Sequence, residues 1–317
     1  MRWRCVYAFW SLCVLGGFLC FVPSAPAHGI VGKRLFIEPL VTEDASPKNE
    51  LDLPVWEVIQ TPDDHTTAFN YSVEKKLMPR FSVSFDNSIV SSSPNGQNSV
   101  VGFGNIGFGA KLAVYRNAAH EFILSSAFHV EAPTGNPRVG ADSSTTLTPE
   151  LLYAKGFGDL PASHILKWLR PLALQGDLTL DFPIKGDSKS APAKVPHADM
   201  VVEYSLPYLN AFVRHADDEY SVEEGAIRKG RSLRAVVGNL FPFTEFNFFW
   251  VQSSAGIGLR PQGFIRPGLV YVGHYFEIGT AAEFPANSFT GRSVGAIGIF
   301  DVFIDDVFPK LGWMIHK

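Results

Sequence analysis

The chain has 317 residues, 46 % of them hydrophobic and 18 % charged, with a formal net charge of −4. The acidic balance argues against nucleic acid as a main partner. Beyond the N-terminal stretch no run reaches the ~18 consecutive apolar residues of a spanning helix, which argues against a helical membrane protein.

The first element in the chain is a leader. Arg2 and Arg4 precede an uncharged run over 6–22, then Pro23 and the small-residue site Ala25-Pro26-Ala27, the order of a secretory signal peptide. A retained signal anchor is the competing reading, and Pro23 with Ala-Pro-Ala favours cleavage after residue 27. Cys5, Cys13 and Cys20, the three cysteines of the chain, all fall inside this segment. The mature chain therefore has no disulfide, thiolate nucleophile or cysteine metal site. Removing Arg2 and Arg4 from the 27 basic residues leaves 25 against 31 acidic ones, a net charge of −6. An exported chain without bridges needs another source of stability, and a closed sheet in a membrane supplies one. Residues 28–49 read as a periplasmic lead-in.

From there the sequence reads as twelve strands, at about 50–60, 67–77, 80–90, 102–115, 120–132, 147–157, 171–183, 198–207, 234–251, 263–272, 275–284 and 292–304. Residues 172–182 show the pattern most plainly. Leu172, Leu174, Gly176, Leu178, Leu180 and Phe182 alternate with Ala173, Gln175, Asp177, Thr179 and Asp181. Successive strand residues point to opposite faces, so one face suits lipid and the other water. Phe81, Val83 and Phe85 alternate in the same way with Arg80, Ser82, Ser84 and Asp86. Soluble sandwiches alternate too, and the connections discriminate better. Met78-Pro79, 117–119 and Gly273-His274 are tight, whereas 91–101, 133–146, 185–197, 253–262 and 286–291 are long and polar. Short turns at one end and long loops at the other are the habit of outer-membrane barrels. Two connections break the rhythm on the expected periplasmic side, 158–170 and 208–233, and short helices suit both. The expected fold is thus all-β, an antiparallel transmembrane β-barrel of about 12 strands over 50–304, with a C-terminal tail over 305–317.

Glycine-rich and turn segments carry a resemblance. Gly102-Phe103-Gly104-Asn105-Ile106-Gly107-Phe108-Gly109-Ala110-Lys111, Gly156-Phe157-Gly158-Asp159-Leu160-Pro161, Tyr204-Ser205-Leu206-Pro207-Tyr208-Leu209, Arg266-Pro267-Gly268-Leu269-Val270-Tyr271 and Ile304-Asp305-Asp306-Val307-Phe308-Pro309 resemble the bacterial outer-membrane barrels grouped with the meta-pathway of phenol degradation. Asn105 stands where that pattern has an acid, and Lys317 stands where outer-membrane barrels commonly end in an aromatic. The resemblance implies a Gram-negative outer-membrane location and passage of small molecules, with no solute assigned. It also implies outer-membrane lipid as surroundings and the barrel assembly machinery as a partner in biogenesis.

No catalytic constellation stands out. An enzyme needs a nucleophile, a base and an orienting group within reach, and Ser163-His164 lies in an expected turn. His197-Ala198-Asp199, His215-Ala216-Asp217-Asp218-Glu219 and Asp305-Asp306 read as loop or strand-exit polarity rather than metal ligands. The expectation is a non-enzymatic protein with no cofactor and no metal. Arg80, Lys111, Asp177, Asp181 and Glu203 are the residues expected to line the lumen, with Asp86, Glu121 and Glu131 on the same inward face. A twelve-strand barrel lies between side-chain-filled barrels of about eight strands and open porins of about 16 to 18, so a narrow or partly plugged path is expected. The excess of acids favours cations or neutral solutes. Phenylalanine is the compositional outlier, with 26 copies. Phe241, Phe243, Phe246, Phe248, Phe249 and Trp250, with Tyr271, Tyr275 and Phe276, suggest interfacial girdles. A closed barrel with a structural or surface role, and a soluble exported β-sandwich, are the alternatives.

Overall fold

The computed structural model describes residues 29–60, 64–94, 98–163, 165–185, 194–214, 232–252 and 259–308. The expected signal peptide, His164, the 215–219 cluster and the tail beyond residue 308 lie outside them. Twelve strands form: β1 (Glu50–Gln60), β2 (Asp64–Met78), β3 (Phe81–Pro94), β4 (Ile106–Asn117), β5 (Phe122–Ala132), β6 (Thr145–Gly156), β7 (Leu172–Lys185), β8 (Val195–Tyr204), β9 (Leu240–Gln252), β10 (Leu259–Val272), β11 (Phe276–Pro285) and β12 (Gly295–Phe303). A short segment, Val100–Phe103, also pairs with β3 and continues the line of β4 beyond a break at Gly104-Asn105. Each strand pairs antiparallel with its sequence neighbour, and β12 pairs antiparallel with β1, from Ala296 opposite Val58 to Phe303 opposite Glu50. The sheet is a closed barrel, so no edge strand is left to be satisfied.

Alternation decides which face is which. Leu178 is 52 % exposed while its neighbour Asp177 is 2 % exposed. Trp56, Phe69, Phe108, Leu112, Leu151 and Phe300 are likewise exposed, whereas Lys111, Gln175, Glu203, Glu245 and Asp301 are buried. Apolar outside and charged inside inverts the soluble pattern and fits a barrel set in lipid.

The first strand begins and the last strand ends at one rim, here the terminal end, which also carries the tight Pro79-Arg80 turn closed by the Met78–Phe81 pair. The two connections that break the turn rhythm are partly helical. Leu166–Leu169 is one 3₁₀ turn, Leu206–Tyr208 is a helical turn that runs on through Leu209–Val213, and Leu233–Gly238 is a helix. Ser232 Oγ accepts from Ala235 N at 3.2 Å, so the ninth strand starts at Leu240 and not at 234.

Residues 29–49 depart most from expectation. They do not lie outside the barrel as a lead-in but fold up into it from the terminal end. A two-strand hairpin, Ile30–Val31 with Arg34–Leu35, begins the segment, which then crosses the interior and returns to enter β1. Leu35, Ile37 and Leu40 pack on Phe241, Phe243, Val270, Val272, Ile297 and Ile299. Val31, Phe36 and Ala45 pack on the other wall, against Ala113, Ile123, Leu152, Ala154 and Ala173. Phe241 and Phe243 are therefore core residues facing inward, not girdle aromatics. Their parity in β9 matches buried Glu245, and the inner face there has the segment to cover.

Candidate functional site

The site is a lumen that is packed at one end and hollow in the middle. At the terminal end Arg34 is fully buried, its guanidinium over the Tyr208 ring at 4.0 Å. It donates to Glu121 Oε2 at 3.3 Å and to the carbonyls of Pro171 at 2.8 Å and Leu172 at 3.3 Å. Glu121 also accepts from Gly158 N at 3.0 Å, and it holds a left-handed backbone, φ 46°, uncommon for a residue with a side chain. The two partly helical connections and the tight turn between β4 and β5 thus supply the socket for Arg34. Burial pushes the Tyr208 phenol up to about 12, with the Glu121 charge adding to the rise.

Wall side chains satisfy the backbone of the crossing segment, which has no ladder of its own beyond the hairpin. Ile37 N donates to Glu203 at 3.3 Å, and Gln175 donates to Ile37 O at 3.0 Å. Glu245 accepts from three successive amides, those of Leu40, Val41 and Thr42, at 3.2, 3.1 and 2.7 Å. Glu43 N donates to Asp177 at 3.0 Å, and Lys48 N donates to Glu74 at 3.1 Å. Lys111 Nζ bridges segment and wall, 2.6 Å from Glu43 and 3.0 Å from Glu74. Asp44, carried by the segment, is pushed up to about 7 by burial.

Above this segment lies a cavity of about 370 Å³. Eight carboxylate residues line it, Glu38, Glu43, Asp52, Glu74, Asp86, Glu150, Asp177 and Asp199, against two lysines, Lys48 and Lys111. His129 and His197 complete its polar wall, with His129 Nε2 at 2.9 Å from Asp86. A Cβ at Gly107 would overlap both members of that pair, so the glycine-rich strand leaves room for it. A second hollow of about 230 Å³ shares Asp52, Ser72 and Asp86 with the first and adds Asn70, Asn105 and Glu131.

Of the five residues expected in the lumen, Lys111 and Asp177 border the cavity. Asp181 faces inward beyond its lining, with Thr148 Oγ1 at 2.7 Å and His197 Nε2 at 3.0 Å. Glu203 lies deeper, on the Ile37 amide, where the segment fills the lumen. Arg80 does not lie in the wall: β3 begins one residue later, and Arg80 is an exposed turn residue at the rim. His197 and Asp199, read from sequence as loop polarity, are strand residues of β8 that face the cavity. Sequence reasoning missed Glu74, Glu150, Glu245 and Arg34. Glu74 and Glu150 were signalled only by inward parity, and Arg34 by nothing local.

No protein-family profile and no curated protein sequence matches the chain. Solved structures share its architecture. An outer membrane channel from Pseudomonas putida F1 aligns with a TM-score of 0.55 and 11 % identity over 84 % of this chain and 99 % of that one. The NanC porin aligns with a TM-score of 0.44 and 11 % identity, over 79 % and 98 % of the two chains. The KdgM porin aligns with a TM-score of 0.43 and 9 % identity, over 80 % and 98 %. The shared feature is the barrel fold, and the first alignment carries it.

Proposed function

We propose that the protein is an outer-membrane barrel that forms a narrow, passive, non-enzymatic path for small solutes and favours cations or neutral molecules over anions. The observation that carries this reading is the cavity wall, with eight carboxylates against two lysines. Rings of acidic side chains select cations by the same electrostatics in other pores. The similar barrel from Pseudomonas putida F1 is named an outer membrane channel, and the resemblance to the phenol-pathway barrels points the same way without naming a solute. Lys111, Asp177 and Asp181 are the polar residues a passing solute would meet first, and the 37–48 crossing is the constriction. Lipid surrounds the exposed apolar face, and the assembly machinery for such barrels is the partner in biogenesis.

One observation favours a second reading, a closed barrel with a structural or surface role: the terminal half of the lumen is filled, with Arg34 locked in its socket. Planar-bilayer recording of the refolded protein separates the two. The channel reading expects cation-selective conductance, and Asp177→Asn with Asp181→Asn lowers the cation-to-anion permeability ratio about two- to fivefold by removing lumenal charge. A correctly folded protein that stays electrically silent supports the closed barrel and defeats the channel.

A further inference from the structure

We propose that Glu50, Asp52 and Asp301 form a binding site for one hard divalent cation of the calcium class, which clips the first strand of the barrel to the last. Glu50 and Asp52 belong to β1 and Asp301 to β12, and Asp301 stands directly opposite Asp52 across the closing seam. One carboxylate oxygen from each of the three residues lies within 4.8 Å of the others. Calcium binds oxygen at about 2.3–2.6 Å, so two ligands on opposite sides of the ion are about 4.6–5.2 Å apart. Magnesium, at about 2.0–2.1 Å, would require a tighter and more regular cage.

What distinguishes the cluster from ordinary acidity is the state of its oxygens. Asp301 is fully buried, and among the described residues neither of its carboxylate oxygens has a hydrogen-bond partner. Glu50 Oε1 and Asp52 Oδ1 are partnerless in the same sense. Their other oxygens are engaged: Glu50 Oε2 lies 2.8 Å from Lys48 Nζ, and Asp52 Oδ2 accepts from the Ser72 hydroxyl. Each of the three residues thus has at least one carboxylate oxygen left unpartnered for an ion.

Buried like charges without compensation are costly. Lys48 cannot neutralise all three, because it also pairs with Glu38 and lies 3.8 Å from Asp44. The strand register is irregular on both sides of the site, between Gly298 and Asp301 in β12 and between Asp52 and Val55 in β1. Such irregularities break the ladder and re-aim side chains. The donor set is oxygen alone, which suits a hard cation and not zinc or copper. Asp52 also borders the large cavity, which gives the ion a way in. Glu50 directly follows the segment that fills the lumen, so the ion would fix the seam and the root of that segment together. None of this depends on conduction, since a closed barrel would hold the same ion.

The test uses the refolded full-length mature chain in zwitterionic detergent free of lipopolysaccharide, with calcium chloride as the probe. Equilibrium dialysis is expected to give about one calcium per barrel, at a Kd of about 0.1–1 mM as in extracellular calcium modules. The temperature at which heat-modifiable gel migration is lost should be about 3–10 °C higher in millimolar calcium than in chelator. Asp301→Asn and Asp52→Asn should each weaken binding about tenfold or more and abolish that shift. Asp52 is only half-buried, so its variant carries the test if Asp301→Asn does not fold. Equal midpoints in calcium and chelator with no calcium bound would overturn the proposal. So would an Asp301→Asn protein stabilised in chelator while the parent binds no calcium, the behaviour of carboxylates that share protons. Magnesium binding as tightly as calcium would overturn the assignment of the ion class.

Discussion

The two halves of the lumen solve opposite problems with the same strands. In β7 the inward series from the terminal end is Ala173, Gln175, Asp177, Thr179 and Asp181, and in β9 it is Phe241, Phe243, Glu245 and Asn247. The first inward positions of each strand are apolar and bury the segment over 29–49. Those farther along are polar: Gln175, Glu245 and Asn247 hold the segment, and Asp177 and Thr179 border the cavity. Wall sizes differ as well, with alanines at 113, 154 and 173 on one side and phenylalanines at 241 and 243 on the other. A barrel interior is therefore not uniformly wet. One half is filled, its charged side chains tied to the segment and its socket, and the other half has charge that borders open space.

The largest test of that contrast is Phe241→Ala. Phe241 is fully buried in the packed half, and truncating such a ring costs about 3–5 kcal/mol. Urea-induced unfolding in detergent should show the loss, with longer open times in bilayers as the segment loosens. Thr179→Ala, in the hollow half, should change stability by less than about 0.5 kcal/mol. Equal losses at the two sites would dissolve the distinction. An intermediate effect is expected at the boundary between the halves. Glu245→Ala removes the acceptor for the amides of Leu40, Val41 and Thr42, which should cost about 1–3 kcal/mol. It should also make residues 38–46 accessible to a protease in the folded barrel, and an unchanged cleavage pattern would refute the role given to Glu245.

The barrel was legible in the sequence because it rests on a period of two, and Leu178 against Asp177 shows that period directly. Strand boundaries followed it, failing chiefly where Ser232 starts a helix that apolar residues at 235–237 disguise as strand. The zoning along the barrel axis was not legible, because parity says which face a residue takes but not what that face meets. Phe241 and Phe243 look like interfacial aromatics until Leu35 and Ile37 are known to lie against them. Arg34 gave no sign of its role, since Glu121, Pro171 and Tyr208 reach it from far along the chain. The same limit hid the carboxylates at the β1–β12 seam, which come together only when the barrel closes.

The smallest expected effect is a pH dependence, and it separates the two halves by function. Asp44 rides on the segment, buried, with Ser46 N donating to it at 3.0 Å and Lys48 at 3.8 Å. Burial raises its carboxyl from the ordinary 3.8 to about 7. A carboxyl raised on folding contributes stability that is complete below its unfolded value and fades as pH rises through the folded one. The segment should therefore be held more firmly at pH 5.5 than at pH 8, with shorter channel open times at the lower pH. Asp44→Asn should flatten that dependence. Because Asp44 is absent from the cavity wall, the variant should leave the cation-to-anion ratio as it was. A ratio that moved together with the open time would mean that the packed half and the hollow half act as one device rather than two.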